Sequence, residues 1–185
     1  MENNKPFQLG ILVGRFQTLH IGHEMMIDTA LSLCERVAVF IGSSQESGTE
    51  KNPYDYALRK RMLERLYGER IGIHPLPDIG VGNNARWGEY VLKTVQDAEG
   101  NLPDLLISGK EERRVSWFDG ITGCRIAELY IPKTVPVSAS LLRKALADND
   151  RAAWKKYVSP QLWPLYEELR KQYLQALPNS FTKSI

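Results

Sequence analysis

Short runs of β-branched and leucine residues alternate with longer stretches in which apolar positions recur every three or four residues. Residues 9–13 read as a first strand closed by Gly14. Residues 24–34 read as a helix, with Met26, Ile27, Ala30, Leu31 and Cys34 along one face. A second apolar run, 36–41, ends at Gly42, and the Ser, Gly and Asn of 43–53 mark a loop. Residues 54–67 are helical, with Ala57, Leu58, Met62 and Leu66 spaced for burial, and 71–74 form a short strand. Prolines, glycines and asparagines over 76–85 predict another loop, followed by a helix over 87–98 with Val91, Leu92 and Val95 inward. Strands at 104–107 and 126–131 follow, then a mostly helical tail over 140–177, interrupted near 159–160.

Strand and helix in alternation imply α/β architecture, a parallel sheet of about five strands covered by helices on both faces. The unbroken apolar strand at 37–41 suits a sheet buried on both sides. With no repeat, low-complexity segment or linker in view, residues 1–185 read as one domain, with a core over about 8–146 and a helical C-terminal extension over about 147–177. In such sheets ligands sit beyond the carboxyl ends of the strands. Candidate chemistry is therefore sought just after residues 13, 41, 74, 107 and 131.

Composition narrows the class only modestly. The chain is 43% hydrophobic and 25% charged with a formal net charge of +2, which excludes a disordered or fibrous chain and does not argue for nucleic-acid binding. Two cysteines, Cys34 and Cys124, make neither a disulfide framework nor a zinc site, and both read as buried reduced thiols. No apolar run approaches the ~20 residues of a membrane span, and the polar start lacks the order of a signal peptide. The expectation is a cytoplasmic protein with no membrane partner.

The first strand runs into Gly14-Arg15-Phe16-Gln17-Thr18-Leu19-His20-Ile21-Gly22-His23. Two of the three histidines fall in one turn at a helix start, bracketing a glycine that lets a phosphate approach the backbone. Such histidines can donate hydrogen bonds to oxygens that gain charge in a transition state, with Arg15 adding positive charge. The plainer alternative is a pair of histidines that cap or pack the helix. After the fifth strand comes Val137-Ser138-Ala139-Ser140-Leu141-Leu142-Arg143, two hydroxyls at a helix start with an arginine one turn on. Together these would hold a polyphosphate. Alone, they would be an ordinary serine cap beside a solvated arginine.

The His20-Ile-Gly22-His23 stretch resembles the HxGH signature of the nucleotidylyltransferase superfamily, and residues 137–143 resemble its second signature, ISxTxxR. The histidine motif also matches class I aminoacyl-tRNA synthetases, but the chain shows no Lys-Met-Ser-Lys-Ser loop. Gly42-Ser43-Ser44-Gln45, Lys51-Asn52-Pro53-Tyr54, Arg59 and Met62, then Pro77-Asp78-Ile79 and Asn83-Asn84-Ala85-Arg86-Trp87, resemble archaeal-type nicotinamide mononucleotide adenylyltransferases. Thr18 stands where that family usually has proline, and Ala139 where it has glycine. No Nudix-type acidic motif or P-loop is visible.

The resemblance covers roughly residues 9–146 and implies a Rossmann-like fold. It also implies transfer of the adenylyl group of ATP to nicotinamide mononucleotide, by in-line attack on the α-phosphorus. It makes His20, His23 and Arg143 catalytic. Gly14, Arg15, Phe16, Gln17, Gly22, Ser108, Gly109, Ser138 and Ser140 become the ATP site, and Asn84 and Trp87 the nicotinamide site. Core packing of Trp87 is the alternative there. Mg2+ would arrive on ATP, with no dedicated protein metal site. The partners implied are ATP and a phosphate-bearing nucleotide acceptor, and a homo-oligomer is compatible with them. Another acceptor of the superfamily (phosphopantetheine, flavin mononucleotide, choline or glycerol phosphate) or a non-catalytic nucleotide-binding protein is the alternative function.

Overall fold

In a computed structural model describing residues 4–82, 84–109 and 113–178, five parallel strands form one sheet in the order β3-β2-β1-β4-β5. The strands are β1 (Phe7–Gly14), β2 (Cys34–Gly42), β3 (Gly72–Leu76), β4 (Leu105–Ser108) and β5 (Ala127–Tyr130). The first three residues and Asn83 of the predicted nicotinamide loop lie outside the described residues. Helices α1 (Ile21–Leu33), α2 (Tyr56–Tyr67) and α3 (Ala85–Glu99) connect the first four strands. The C-terminal part carries α4 (Ala139–Ala147), α5 (Arg151–Lys155), a 3-10 turn (Pro160–Leu165) and α6 (Tyr166–Ala176).

Alternate residues of each strand face opposite layers, as the pleat requires. Leu12, Val37, Val39, Ile41, Leu105 and Ile107 pack with Ile27 and Ala30 of α1, Leu58 and Met62 of α2, and the C-terminal helices. Leu9, Ile11, Ala38, Phe40 and Leu106 face Trp87, Val91, Leu92 and Val95 of α3. Helices on one face between β1 and β3, then one on the other before β4, set the reversal of strand order at β1 and β4.

Several ends differ from the sequence reading for local reasons. Cys34 does not close α1 but opens β2, because Lys5 Nζ caps the helix by donating to the carbonyls of Leu31 at 2.7 Å and Cys34 at 3.1 Å. Cys34 is buried, whereas Cys124 is only half-buried. Leu76 belongs to β3 rather than to the following loop, and Pro75 is tolerated because β3 is an edge strand. Asp55 caps α2 by accepting from Leu58 N at 2.7 Å, so the helix starts two residues later than expected. A 3-10 turn over Arg114–Phe118 has no counterpart in the periodicity.

The C-terminal helices contribute Trp154, Leu162, Leu165, Leu169 and Tyr173 to the same cluster as α1 and α2. They also reach the first turn of α1. Ile21 N donates to the Tyr157 carbonyl at 3.0 Å, and Ser159 Oγ bonds the Glu24 carboxylate.

Candidate active site

A cavity of about 570 Å³ opens where the sheet order reverses, beyond the carboxyl ends of β1, β2, β4 and β5. It is lined by Gly14, Arg15, Phe16, Gln17, His20, Gly22 and His23 from the segment after β1, by Gly109 after β4, and by Ser138, Ser140 and Arg143 at the start of α4. Trp87 lines it from α3. Two motifs more than a hundred residues apart therefore meet in one cavity. Asn84 and Ser108 do not line it. Asn84 is exposed and spends its side-chain carbonyl capping α3, accepting from Trp87 N at 3.2 Å, while Ser108 is buried at the end of β4.

Helix α1 begins at His20, whose extended backbone makes it the N-cap residue without a side-chain cap. Of the first N–H groups, Ile21's goes to Tyr157 and those of His23 and Glu24 go to the His20 carbonyl. That leaves the Gly22 N–H for a ligand. A Cβ at Gly22 would sit 3.1 Å from the His20 imidazole, so the glycine also keeps that ring in place. The two histidine rings stack with centroids 3.8 Å apart, and Phe16 lies tilted against His23 at 5.0 Å. Burial pushes the His20 imidazole down to about 4, with the Lys133 charge adding to the effect, and holds His23 well below the ordinary histidine range. Both are neutral at pH 7. His23 Nδ1 is buried with no protein partner among the described residues, and His20 Nδ1 has none beyond its own backbone. Each ring is a neutral hydrogen-bond donor rather than a proton source.

Positive charge comes from elsewhere. Arg143 Nη1 donates to the Gln17 carbonyl and Nη2 to Ser140 Oγ at 3.3 Å, which ties the second motif to the first. Ser138 Oγ caps α4 by accepting from Leu141 N at 3.2 Å and keeps its own O–H for a ligand. Arg15 Nη1 donates to Asn52 Oδ1 at 3.2 Å. Phe16 (φ 50°) and Ser43 (φ 47°) both adopt left-handed backbone at the cavity edge. This conformation is uncommon for residues with a side chain and clusters at functional sites.

Among the lining residues to which the sequence gives no role are Ser43, Asp78, Arg114, Trp117 and Lys133. Ser43 Oγ donates to Asp78 Oδ2 at 2.6 Å, and Gln45 and Asp78 exchange a further pair of bonds. Arg114 donates to the Val13 carbonyl at 3.0 Å and lies over the Trp117 ring at 5.2 Å. Trp117 meets Trp87 edge to face at 6.1 Å. Trp87 is therefore both packed and cavity-lining, and its Nε1–H is buried without a protein partner among the described residues. Arg86 is exposed and away from the cavity. Only Asp78 and Ser43 lay in quoted motif stretches. No periodicity marks Arg114, Trp117 or Lys133, which converge through loops after β4 and β5.

Residues 11–111 match the model of the cytidylyltransferase-like family, more than half of the chain. The chain belongs to this nucleotidylyltransferase family. It is 32% identical over 168 residues to the nicotinamide-nucleotide adenylyltransferase of Aeropyrum pernix, covering 86% of this chain and 90% of that one. A relative of the same description from Thermococcus kodakarensis is 40% identical over 92 residues, an alignment that spans 46% of this chain and about half, 48%, of the relative. Among solved structures, a bifunctional NMN adenylyltransferase/ADP ribose pyrophosphatase from Francisella tularensis, complexed with AMP and a manganese ion, superposes with a TM-score of 0.75 at 20% identity. That match covers 92% of this chain and 52% of the other. Plasmodium falciparum nicotinic acid mononucleotide adenylyltransferase complexed with NaAD superposes at 0.53 and 18% identity, over 90% of this chain and 99% of the other. At these identities the two structures speak for the fold: a five-stranded parallel Rossmann-like sheet with helices on both faces. Among the described residues no helix is long and apolar enough to cross a membrane.

Proposed function

We propose that the chain joins ATP and nicotinamide mononucleotide to give NAD and pyrophosphate. The observation that carries this reading is the meeting of the histidine motif and the Ser138–Arg143 motif in one cavity at the reversal of strand order, in a chain aligned along most of its length with a nicotinamide-nucleotide adenylyltransferase. The acceptor's phosphate oxygen attacks the α-phosphorus in line, the α–β bond breaks, and pyrophosphate leaves. A phosphate nucleophile is already ionised, so no general base is required, and positioning with charge stabilisation supplies the rate. His20, His23 and the Gly22 N–H donate to the reacting phosphate. Ser138, Ser140, Arg143 and Arg15 hold the rest of the polyphosphate.

A divalent cation enters as part of the ATP substrate. Asp78 is the one carboxylate among the described lining residues, and these residues form no group of three His, Cys, Asp or Glu side chains that would hold a metal. The acceptor lies toward Trp87 and Trp117, aromatic surfaces suited to a flat cationic ring. Arg114 beside them favours a second reading, in which the acceptor carries a nicotinate carboxylate.

The test is competition of nicotinamide and nicotinate mononucleotides at equal concentration with ATP, scored by product and pyrophosphate. The nicotinamide product is expected to dominate. Trp87→Ala should raise the acceptor KM and leave the ATP KM unchanged, and His23→Ala should lower kcat by ~10²–10³. No pyrophosphate with either acceptor overturns the assignment. Dominance of the nicotinate product selects the second reading.

A further inference from the structure

Among the described residues four cationic side chains line the cavity, and three are already committed to protein acceptors. Arg15 bonds Asn52, Arg114 bonds the Val13 carbonyl, and Arg143 bonds the Gln17 carbonyl and Ser140. Lys133, in the segment between β5 and α4, is the fourth. It is exposed at the rim, and among the described residues its ammonium makes no hydrogen bond or ion pair. Its surroundings are those of a phosphate site. It shares the cavity lining with His20 and Gly22, with Ser138 and Ser140 a few residues further along its own segment, and with Thr134, Ile131 and Val135. Its charge is also felt at the His20 ring, which it helps to keep neutral.

We propose that Lys133 is a substrate-binding residue for the polyphosphate of ATP, a cation at the cavity rim that completes the charge set begun by Arg15 and Arg143. This rests on the adenylyltransferase reading and goes beyond it, since Lys133 belongs to neither signature motif. An ammonium on a four-carbon stem suits the role. It acts as a point charge with three donors, and it can follow a triphosphate whose outer groups depart as pyrophosphate. The guanidinium groups are held in fixed directions by their side-chain and backbone partners and set the geometry. Lys133 supplies charge without fixing direction.

The experiment compares wild type, Lys133→Met and Lys133→Arg, all with the side chain exposed and outside the packed core. Titration calorimetry with magnesium ATP gives the affinity, steady-state assays give kcat and both KM values, and an NMR titration of His20 in the ligand-free protein gives a readout independent of turnover. Lys133→Met should weaken ATP binding about tenfold, as for loss of one partly solvated charge-assisted hydrogen bond, and leave the acceptor KM unchanged. Lys133→Arg should retain most of the affinity. In the ligand-free Lys133→Met protein the His20 imidazole should titrate at higher pH than in wild type. Equal ATP affinity in wild type and Lys133→Met overturns the proposal while the adenylyltransferase reading stands. A wild-type chain that binds no ATP removes both.

Discussion

Arg59→Met tests what holds the cavity walls in place. Arg59 is fully buried on α2. Its guanidinium meets no carboxylate within ion-pair distance among the described residues. Instead it donates to main-chain carbonyls: Arg15 at 3.1 Å, Gly42 at 2.8 Å, Ser43 at 3.1 Å and Asp55 at 3.1 Å, with a longer contact to Glu46 at 3.5 Å. Three of these acceptors, Arg15, Gly42 and Ser43, line the cavity at the ends of β1 and β2. Methionine fills similar volume and donates nothing. Each orphaned carbonyl costs about 1–3 kcal/mol, at the low end for oxygens that keep a second lone pair for other partners. Relief from burying a charge offsets part of the sum. With three cavity-wall carbonyls at about 1 kcal/mol each, the net loss is about 3 kcal/mol. For a chain of this size that lowers Tm by roughly 6–12 °C. Thermal unfolding followed by circular dichroism measures it. Arg59→Lys should fall between the two, because an ammonium reaches fewer of the diverging carbonyls than the planar fork. At a temperature where both proteins are folded, Arg59→Met should also lose kcat/KM for ATP, since Arg15 and Ser43 lose their anchor. A Tm within about 2 °C of wild type would refute the reasoning and mean that water or other groups satisfy these carbonyls.

Gly88→Ala should be destabilising by about 1–3 kcal/mol, although the same change in an exposed helix is favourable by about 1 kcal/mol. Its Cβ would lie 1.8 Å from the Trp117 carbonyl oxygen, so α3 and the Trp117 turn must part; a raised acceptor KM with unchanged ATP affinity would accompany the loss, and a stabilised variant would contradict the contact. The His20 imidazole titrates at about 4 in the folded chain against 6.5 for the free group. As pH falls from 6.5 to 4 the unfolded chain takes up a proton that the folded chain refuses, and folding loses up to about 3 kcal/mol, with no further loss from this group below pH 4. Urea unfolding across that window should show a smaller decline in His20→Gln than in wild type, and parallel curves would mean that His20 is not held neutral.

The sheet was legible because each strand carries its own signature. Residues 37–41 are apolar without interruption, and β2 is buried on both faces, flanked by β1 and β3. The face of α3 was legible for the same reason, with Val91, Leu92 and Val95 buried, whereas on α2 Ala57, expected to be buried, is exposed beside the capping Asp55. Element ends were less so, since they depend on partners distant in sequence: Lys5 decides where α1 stops, and no pattern near residue 34 contains it. Within the cavity, the residues readable in sequence are those packed into contiguous motifs at helix starts. Arg114 and Lys133 come from loops whose positions are set by the strands they follow. Arg59 sits in the buried face of α2 between Leu58 and Met62, where spacing alone cannot tell an arginine that holds five carbonyls from one that reaches solvent.

Neutral histidines bear on how the site divides its work. Rings stacked at 3.8 Å would repel if both were protonated, and burial already disfavours the charged form of each. A pair chosen for proton transfer would be tuned toward neutral pH, as general acids and bases are. This pair is tuned away from it. That fits a reaction whose nucleophile arrives ionised and whose leaving pyrophosphate needs charge neutralisation more than a proton. On the proposed reading, fixed N–H dipoles from His20, His23 and Gly22 act where charge develops on the reacting phosphate, and they need no reorganisation as it forms. Full charges line the same cavity on Arg15, Arg143 and Lys133, to which the proposed function assigns the polyphosphate. Placing cations beside the histidines would have left the rings neutral in any case, as Lys133 already helps to do. The two kinds of donor are therefore compatible by electrostatics, and the Gln17–Arg143 contact holds them in register by joining the loop that leads into α1 to the first turns of α4.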